Sequence, residues 1–198
     1  MKRLLPLLAV SAVLLLSACV DKTGLSEASS RTPSGNPNGA VVVTEYGDIQ
    51  CPACRTSFTA LNQPLLAKYG TQIRFEFKHF PLRNIHRYAL DLAEASECAA
   101  DQNKFWEYLD LAYAKQDQLK NSSVRDWAKE LGIDNDLFDR CTRSHIKRKT
   151  ILADYDEGIK LGVQGTPTYF VNGRQTEATL DALSTAIEAG ITGAAQRL

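Results

Sequence analysis

The chain has 198 residues, with 23 Lys and Arg against 23 Asp and Glu, 44% hydrophobic residues and 23% charged residues. These proportions are ordinary for a globular protein, and they exclude a collagen, a disordered charged chain and a polytopic membrane protein. The formal net charge of zero gives no electrostatic reason to expect nucleic acid as a partner. The length suits one elaborated domain, and we expect a monomer.

The N-terminus has the layout of a secretory leader. Met1-Lys2-Arg3 is a basic start, and residues 4–16 are mostly apolar before Leu16-Ser17-Ala18-Cys19. These last four residues resemble the lipobox of bacterial lipoproteins, in which the cysteine is lipidated and becomes the first residue. We therefore expect a signal peptide over residues 1–18 and a lipid on Cys19. A transmembrane anchor is the alternative, although an apolar run of about 17 residues is at the bottom of the spanning range.

The segment after the leader differs from the rest of the chain in composition. Residues 19–38 are rich in Ser, Thr, Gly, Pro and Asn. Such a composition is typical of a flexible linker. We therefore expect the lipidated cysteine to be followed by a flexible tether, with the folded part beginning near Gly39.

Beyond Gly39 the predicted elements alternate between strand and helix. A β-branched run at residues 40–46 predicts a buried strand, and a helix should begin at Cys51, interrupted at Pro64. Alternating apolar residues at 73–77 predict a second strand. Residues 86–161 have helical periodicity, residues 168–171 form a strand, Asn172-Gly173 predicts a hairpin, and a last helix follows.

The sequence Cys51-Pro52-Ala53-Cys54 is the strongest chemical feature. A C-x-x-C motif can be half of a zinc site, a structural disulfide or a redox pair. Zinc would need two more ligands at suitable spacing, and covalent haem would need a histidine where this chain has Arg55. We therefore expect neither a metal nor a bound cofactor.

The position of the motif favours redox chemistry. It follows a buried strand directly and opens a helix, where free backbone N–H groups and the helix dipole stabilise a thiolate. We predict that Cys51 is the exposed, attacking sulfur and that Cys54, one turn later, resolves the mixed disulfide. Glu45 lies late in the preceding hydrophobic strand, where an acid is costly to bury unless it has a task. It could take the proton of Cys54, although an exposed glutamate at the strand end is the alternative.

At this point the chain resembles the DsbA-like thiol:disulfide oxidoreductases. The likeness covers residues 39–198. The motifs that carry it are Val43-Thr44-Glu45-Tyr46, Cys51-Pro52-Ala53-Cys54, Lys78-His79-Phe80-Pro81-Leu82, Asn103-Lys104-Phe105-Trp106, and the run from Gly162 through Thr166-Pro167 to Gly173. One departure is Ala53, because strong oxidases of the family have histidine there. The thiolate should therefore be less favoured than in those enzymes.

The resemblance implies an α/β thioredoxin-like fold with an inserted all-helical domain. The thioredoxin-fold parts would be residues 39–85 and 162–198, and the helical insert residues 86–161. Glu45 would be the buried acid, Pro167 would be cis beside the cysteines, and Thr166 would present its backbone to a substrate strand.

The implied activity is that of an exported, membrane-tethered enzyme that forms or exchanges disulfides in other exported proteins. The dithiol itself carries the electrons. The expected partners are cysteine-containing clients and a membrane redox partner, either a quinone-coupled reoxidant or a thiol reductant. We expect the protein in the cell envelope, lipid-anchored and facing the periplasmic or extracytoplasmic side. A reductase or isomerase of the same compartment is an alternative, and so is a binding or chaperone lipoprotein without catalysis.

Two cysteines lie outside the motif. If Cys19 carries lipid, Cys98 and Cys141 remain, and both should point into the interior of the helical insert. In an exported protein two such cysteines rarely stay apart, and some members of the family carry a comparable bridge. We predict a structural disulfide between them, with two separate buried thiols as the alternative.

Overall fold

The structure is a computed structural model, and it describes residues 20–196. The strands are β1 (Ser34–Gly35), β2 (Val41–Gly47), β3 (Ile73–His79), β4 (Thr168–Val171) and β5 (Arg174–Thr176). The helices are α1 (Pro52–Ser57), α2 (Gln63–Tyr69), α3 (Ala89–Ala100), α4 (Phe105–Ala114), α5 (Ser123–Glu130), α6 (Asn135–Ser144), α7 (Arg148–Lys160) and α8 (Leu180–Ala195). A π-helical turn at Phe58–Asn62 joins α1 to α2, and a 3-10 turn at Gln116–Gln118 follows α4.

The five strands form one mixed sheet in the order β1-β3-β2-β4-β5. Strand β2 is parallel to β3, and the other pairs are antiparallel. The β-branched run at the start of β2 suits this central position, since both faces of the strand are covered. The register places Glu45 between Phe77 on β3 and Tyr169 on β4. The acid therefore lies in the middle of the sheet.

Helices cover both faces of the sheet. On one face α2 and α8 bury Leu65, Leu183 and Ile187 against apolar residues of β2, β3 and β4. On the other face α7 brings Tyr155 into a stacked contact with Phe80, with ring centroids 4.5 Å apart. Helices α3 to α6 pack around one core, which also includes Phe77 of β3 and both cysteines of the motif. This arrangement confirms the predicted thioredoxin-like fold with a helical insert, whose helices lie inside the predicted residues 86–161.

The helix after Cys51 is not stopped by Pro64. The chain instead runs through the π-helical turn, and α2 restarts with Pro64 in its first turn. Pro64 has no N–H to donate to the preceding turn, and a turn with the wider π-helical hydrogen-bonding pattern directly precedes it. The predicted interruption is therefore a change of hydrogen-bonding pattern within a continuous helical segment.

The prediction of a flexible tether is wrong for residues 20–38. Strand β1 pairs with β3, so the folded part begins before Gly39. Arg31 forms ion pairs with the buried acids Glu97 and Asp154, and the Trp106 indole donates to the Thr32 carbonyl over 3.0 Å. Polar composition alone suggested a linker, but these contacts with the helical insert fix the segment. Cys19 and the leader lie outside the described residues.

Candidate active site

The two cysteines of the motif lie where β2 passes into α1. Cys51 is the N-cap residue, with extended backbone angles, and Pro52 begins the helix. Both cysteines are free thiols. The sequence predicted an exposed Cys51, but this residue is only 6% exposed. It is still the more exposed of the pair, because Cys54 is fully buried. The surrounding turn and the Thr166 loop cover most of the first sulfur.

The surroundings of Cys51 favour its thiolate. A hydrogen bond from the Cys54 thiol, the Thr166 side chain and the N–H groups of Cys54 and Ala53 together outweigh the cost of partial burial. They lower the pKa of the Cys51 thiol to about 5. Cys51 is therefore largely a thiolate at neutral pH, and the thiolate is the nucleophilic form.

Cys54 has the opposite tendency. Burial, the hydrogen bond to Cys51 and the negative charge of Glu45 raise the pKa of the Cys54 thiol well above its usual range. The Asp48 N–H lies 3.4 Å from the Cys54 sulfur and partly opposes this rise. The pair is thus asymmetric, with one sulfur ready to attack and the other holding its proton.

The loop before β4 lies against Cys51. The Thr166–Pro167 peptide bond is cis. The Cys51 sulfur lies 3.4 Å from the Thr166 carbonyl oxygen. An open groove next to this loop is lined by Gly162, residues 164–168 and Gln175. The two residues predicted to bind a substrate strand therefore lie at the attacking sulfur and line a groove.

Glu45 is buried beneath the cysteines and is 1% exposed. Its Oε2 accepts a 2.6 Å hydrogen bond from the Asn62 amide, while its Oε1 has no hydrogen-bond partner. Burial outweighs the hydrogen bonds and raises the pKa of the Glu45 carboxyl to about 7. The exposed-glutamate alternative is therefore excluded, and the carboxyl can gain or lose a proton near neutral pH.

Three site residues were not found from the sequence. Asn62 holds Glu45, and the Tyr169 hydroxyl donates to the Asn62 Oδ1 over 2.8 Å. Gln116 of the insert donates to the carbonyl oxygens of Ile49 (2.9 Å) and Cys51 (3.1 Å). A polar residue in the apolar stripe of a helix could have indicated Asn62. Nothing in the sequence indicated Gln116, because its contacts join distant segments.

The remaining two cysteines lie away from this site. Cys98 on α3 and Cys141 on α6 form a disulfide, with their Cα atoms 5.9 Å apart. This is the pairing expected from the sequence, rather than two separate thiols. Within residues 20–196, no group of three or more His, Cys, Asp or Glu side chains is arranged to hold a metal ion.

Residues 28–189 match the sequence model of a family described as thioredoxin. The chain belongs to the thioredoxin family. Among solved structures, BdbD from Bacillus subtilis has a TM-score of 0.74 and 22% identity, covering 83% of this chain and 94% of that one. The α-DsbA1 protein of Wolbachia pipientis has a TM-score of 0.72 and 19% identity, covering 83% and 92%. These two likenesses confirm the fold that the resemblance implied.

The sequence relatives are longer proteins. The chain is 37% identical over 169 residues to a protein of Salinispora tropica named Na(+)/H(+) antiporter NhaA 3, covering 82% of this chain and 25% of that protein. The chain therefore spans about a quarter of the length of the curated relatives it matches.

Proposed function

We propose that this protein forms or exchanges disulfide bonds in exported proteins by using the Cys51–Cys54 dithiol. The observation that carries the proposal is the asymmetry of the pair: the pKa of Cys51 is lowered to about 5 while that of Cys54 is raised. A stabilised thiolate favours the reduced form of the enzyme, which makes its disulfide a good oxidant. The lowered pKa of Cys51 therefore favours disulfide formation over reduction, although Ala53 replaces the histidine of strong oxidases.

The oxidising cycle begins with the Cys51–Cys54 disulfide. A client thiolate attacks the Cys51 sulfur, so that a client–Cys51 bond forms, the Cys51–Cys54 bond breaks and Cys54 leaves as a thiolate. Protonated Glu45 can supply a proton to that buried sulfur. A second client thiolate then attacks the client sulfur and releases Cys51 as its stabilised thiolate. The client loses two electrons, the enzyme gains them, and a membrane redox partner must remove them.

The groove next to Thr166 and Pro167 fits a client chain in extended conformation. The Thr166 loop precedes β4 and lies at the attacking sulfur. An extended client segment there would place its own sulfur next to Cys51. The proposed clients are therefore exported proteins with accessible cysteines, and no bound cofactor takes part.

We further propose that a lipid on Cys19 holds the protein at the extracytoplasmic face of a membrane. The lipobox-like sequence supports this, and so does the match to part of proteins named Na(+)/H(+) antiporters. The Arg140 guanidinium donates to the Thr23 carbonyl oxygen over 2.8 Å, so contacts begin a few residues after Cys19. The domain would then stand close to the bilayer. Lipid labelling and membrane fractionation of wild type and Cys19→Ser test this, and equal labelling would contradict it.

The activity is tested by oxidation of a dithiol peptide and by the redox potential. We expect wild type to oxidise the peptide and Cys51→Ser to be inactive. Cys54→Ser should accumulate disulfide-linked clients in cells, because it retains the Cys51 nucleophile but cannot resolve the mixed disulfide. A potential above about −180 mV supports an oxidase, whereas one near about −270 mV would indicate a reductase. Equal behaviour of wild type and Cys51→Ser would indicate a binding protein without catalysis.

A further inference from the structure

A second buried carboxylate lies next to the cysteines, and the exchange chemistry described so far does not use it. Asp48 is 2% exposed and occupies the turn between β2 and Cys51. Its Oδ1 accepts from the Gln50 N–H over 2.8 Å, and its Oδ2 accepts from the Leu82 N–H over 2.9 Å. The same Oδ2 lies 2.7 Å from the His86 Nδ1. Three hydrogen-bond contacts thus hold the Asp48 carboxylate in place.

The backbone of Asp48 contacts both cysteines. Its N–H points to the Cys54 sulfur at 3.4 Å, and its carbonyl oxygen accepts from the Cys51 N–H over 3.0 Å. The carboxylate and the N–H belong to one short turn, so fixing the former also fixes the direction of the latter. Burial, the hydrogen bond to Cys51 and the Glu45 charge raise the pKa of Cys54, and the Asp48 N–H acts against them.

The partner histidine belongs to the loop between β3 and α3. The His86 side chain is 15% exposed, and a carboxylate can only accept, so Nδ1 carries the proton in this contact. A second contact holds the same loop, because the Tyr88 N–H donates to the Gln50 Oε1 over 2.6 Å. His86 therefore fastens this loop to the active-site turn through Asp48.

We propose that Asp48 and His86 are a positioning pair for the resolving step of disulfide exchange. His86 orients the Asp48 carboxylate, and the carboxylate holds the turn so that the Asp48 N–H donates to the Cys54 sulfur when that sulfur is negatively charged. Neither residue touches the client or exchanges electrons. The inference rests on the proposed function, because it assigns a role within that reaction.

The step that the pair serves runs in the reducing direction of the same exchange. The Cys54 thiolate attacks the Cys51 sulfur of the mixed disulfide. The Cys51–Cys54 bond forms, the bond from Cys51 to the client breaks, and the client leaves as a thiolate. An N–H that points at Cys54 favours the charged sulfur over the neutral thiol. Loss of that orientation should slow this step while leaving the first attack by Cys51 almost unchanged.

The two steps can be separated by mixing the reduced protein with glutathione disulfide, quenching with acid, and following the reduced, glutathione-linked and oxidised protein by mass spectrometry. The second-order rate at low disulfide concentration reports attack by Cys51, and the first-order plateau at high concentration reports resolution by Cys54. We expect His86→Ala to lower the plateau about tenfold, less than the roughly hundredfold loss that a misplacement of about 1 Å can cause, and to change the second-order rate less than twofold. His86→Asn, which keeps a side-chain N–H donor, should recover most of the plateau.

A matched control is available in the helical insert. His145 also places its Nδ1 at 2.6 Å from a buried carboxylate, that of Glu94. His145 has a φ of 53°, so His145→Gly removes the imidazole without straining the backbone. This variant should leave both rates within twofold of wild type. Asp48→Asn should lower the plateau as His86→Ala does, and the double variant should be no slower than either single one.

The outcomes are distinct. A plateau within twofold of wild type in His86→Ala overturns the inference, and so does an equal loss in His145→Gly. Parallel loss of both rates would assign His86 to general stability, and failure of His86→Asn to recover the plateau would exclude the donor role. If Asp48→Asn does not fold, the histidine series still decides. A wild-type protein that does not react with the disulfide would overturn the proposed function itself.

Discussion

Two glutamates in this protein are equally buried but have opposite electrostatic surroundings. Glu45 is 1% exposed, and an amide is its hydrogen-bond donor. Glu97 is fully buried, but it lies 2.5 Å from the Arg31 guanidinium and 3.1 Å from the His79 Nε2. Burial raises the pKa of Glu45 to about 7. Burial also acts on Glu97, but His79 and Arg31 outweigh it and hold the pKa at about 2.

The difference shows that charged partners, rather than burial, decide what a buried acid does. Glu45 can change protonation near neutral pH, as the proposed proton exchange with Cys54 requires. Glu97 remains charged, so it can anchor Arg31 and with it the N-terminal segment. The sequence neighbour of Glu97 is Cys98, whose disulfide adds a covalent link to the same region. The carboxyl of Glu45 can therefore titrate near neutral pH, whereas Glu97 remains charged and holds the N-terminal segment against the helical insert.

The largest effect should come from removing the cation that neutralises Glu97. Arg31→Ala leaves Glu97 without its guanidinium partner and removes one partner of Asp154. Breaking a buried ion pair from one side costs about 3–5 kcal/mol. We expect a loss of that size in the free energy of unfolding measured with urea.

The matched control for Arg31 is a surface arginine. Arg55 pairs with Asp117, whose side chain is 81% exposed. Exposed pairs contribute about 0–1 kcal/mol, so Arg55→Ala should change stability little. Adding Glu97→Gln to Arg31→Ala should recover part of the loss. Equal effects of the two arginine variants would mean that the N-terminal segment is not held by the buried pair.

The next prediction concerns the disulfide between Cys98 and Cys141, which lies beside Glu97 in the helical insert. Cys98 and Cys141 are separated by 43 residues. Closing a loop of this size stabilises a protein by about 4 kcal/mol in the chain-entropy treatment. The double variant Cys98→Ala with Cys141→Ala should lower the melting temperature while leaving peptide oxidation by Cys51 and Cys54 unchanged. A large loss of exchange activity in folded protein would show that the two regions are coupled.

The third effect is a pH dependence that belongs to Glu45. Its pKa is about 7 in the folded protein and 4.5 in the reference state, so its neutral form stabilises the fold. That stability is fully present below about pH 4.5 and is lost as the pH rises through about 7. The difference of the two values corresponds to about 3 kcal/mol. Glu45→Gln, which cannot ionise, should lack this loss.

Urea unfolding of wild type and Glu45→Gln at several pH values between 4 and 9 measures this difference. The two free energies of unfolding should diverge as the pH rises to about 7 and then run parallel. Glu130→Gln, a substitution at an exposed residue, is the control and should follow wild type. Parallel curves for Glu45→Gln and wild type would show that Glu45 is charged throughout this range, as Glu97 is.

The sequence identified one of these two acids and missed the other. Glu45 stood out because it interrupts a β-branched run, and the cysteine motif six residues later gave it a task. Glu97 lies in a segment for which the sequence predicted only helical periodicity. Its partner Arg31 lies in a segment whose composition suggested a linker. Both errors have one cause, since an ion pair between residues 66 positions apart leaves no periodic signal.

The fold was predictable because strand and helix periodicity and the family motifs agree along most of the chain. The residues that hold the reacting groups of the site in place were not predictable in the same way. Asn62 and Gln116 act through contacts that depend on the packed structure. Asp48 and His86 are 38 residues apart, and each could have been an ordinary surface residue. Local sequence thus indicates the reacting groups, while tertiary structure determines what holds them.

The smallest predicted effect tests the hydrogen bonds that partly offset the burial of Glu45. The Tyr169 hydroxyl donates to the Asn62 Oδ1, and the Asn62 amide donates to Glu45. Tyr169→Phe removes the first bond and leaves the second, at a cost of about 1 kcal/mol in unfolding free energy. Because Tyr169 itself lowers the pKa of Glu45, the variant should shift that pKa upward. Carbon-13 titration of the Glu45 carboxyl measures the shift. A downward shift would mean that the Tyr169 hydroxyl does not stabilise the charged form of Glu45, so that Asn62 would be left as its hydrogen-bonding support.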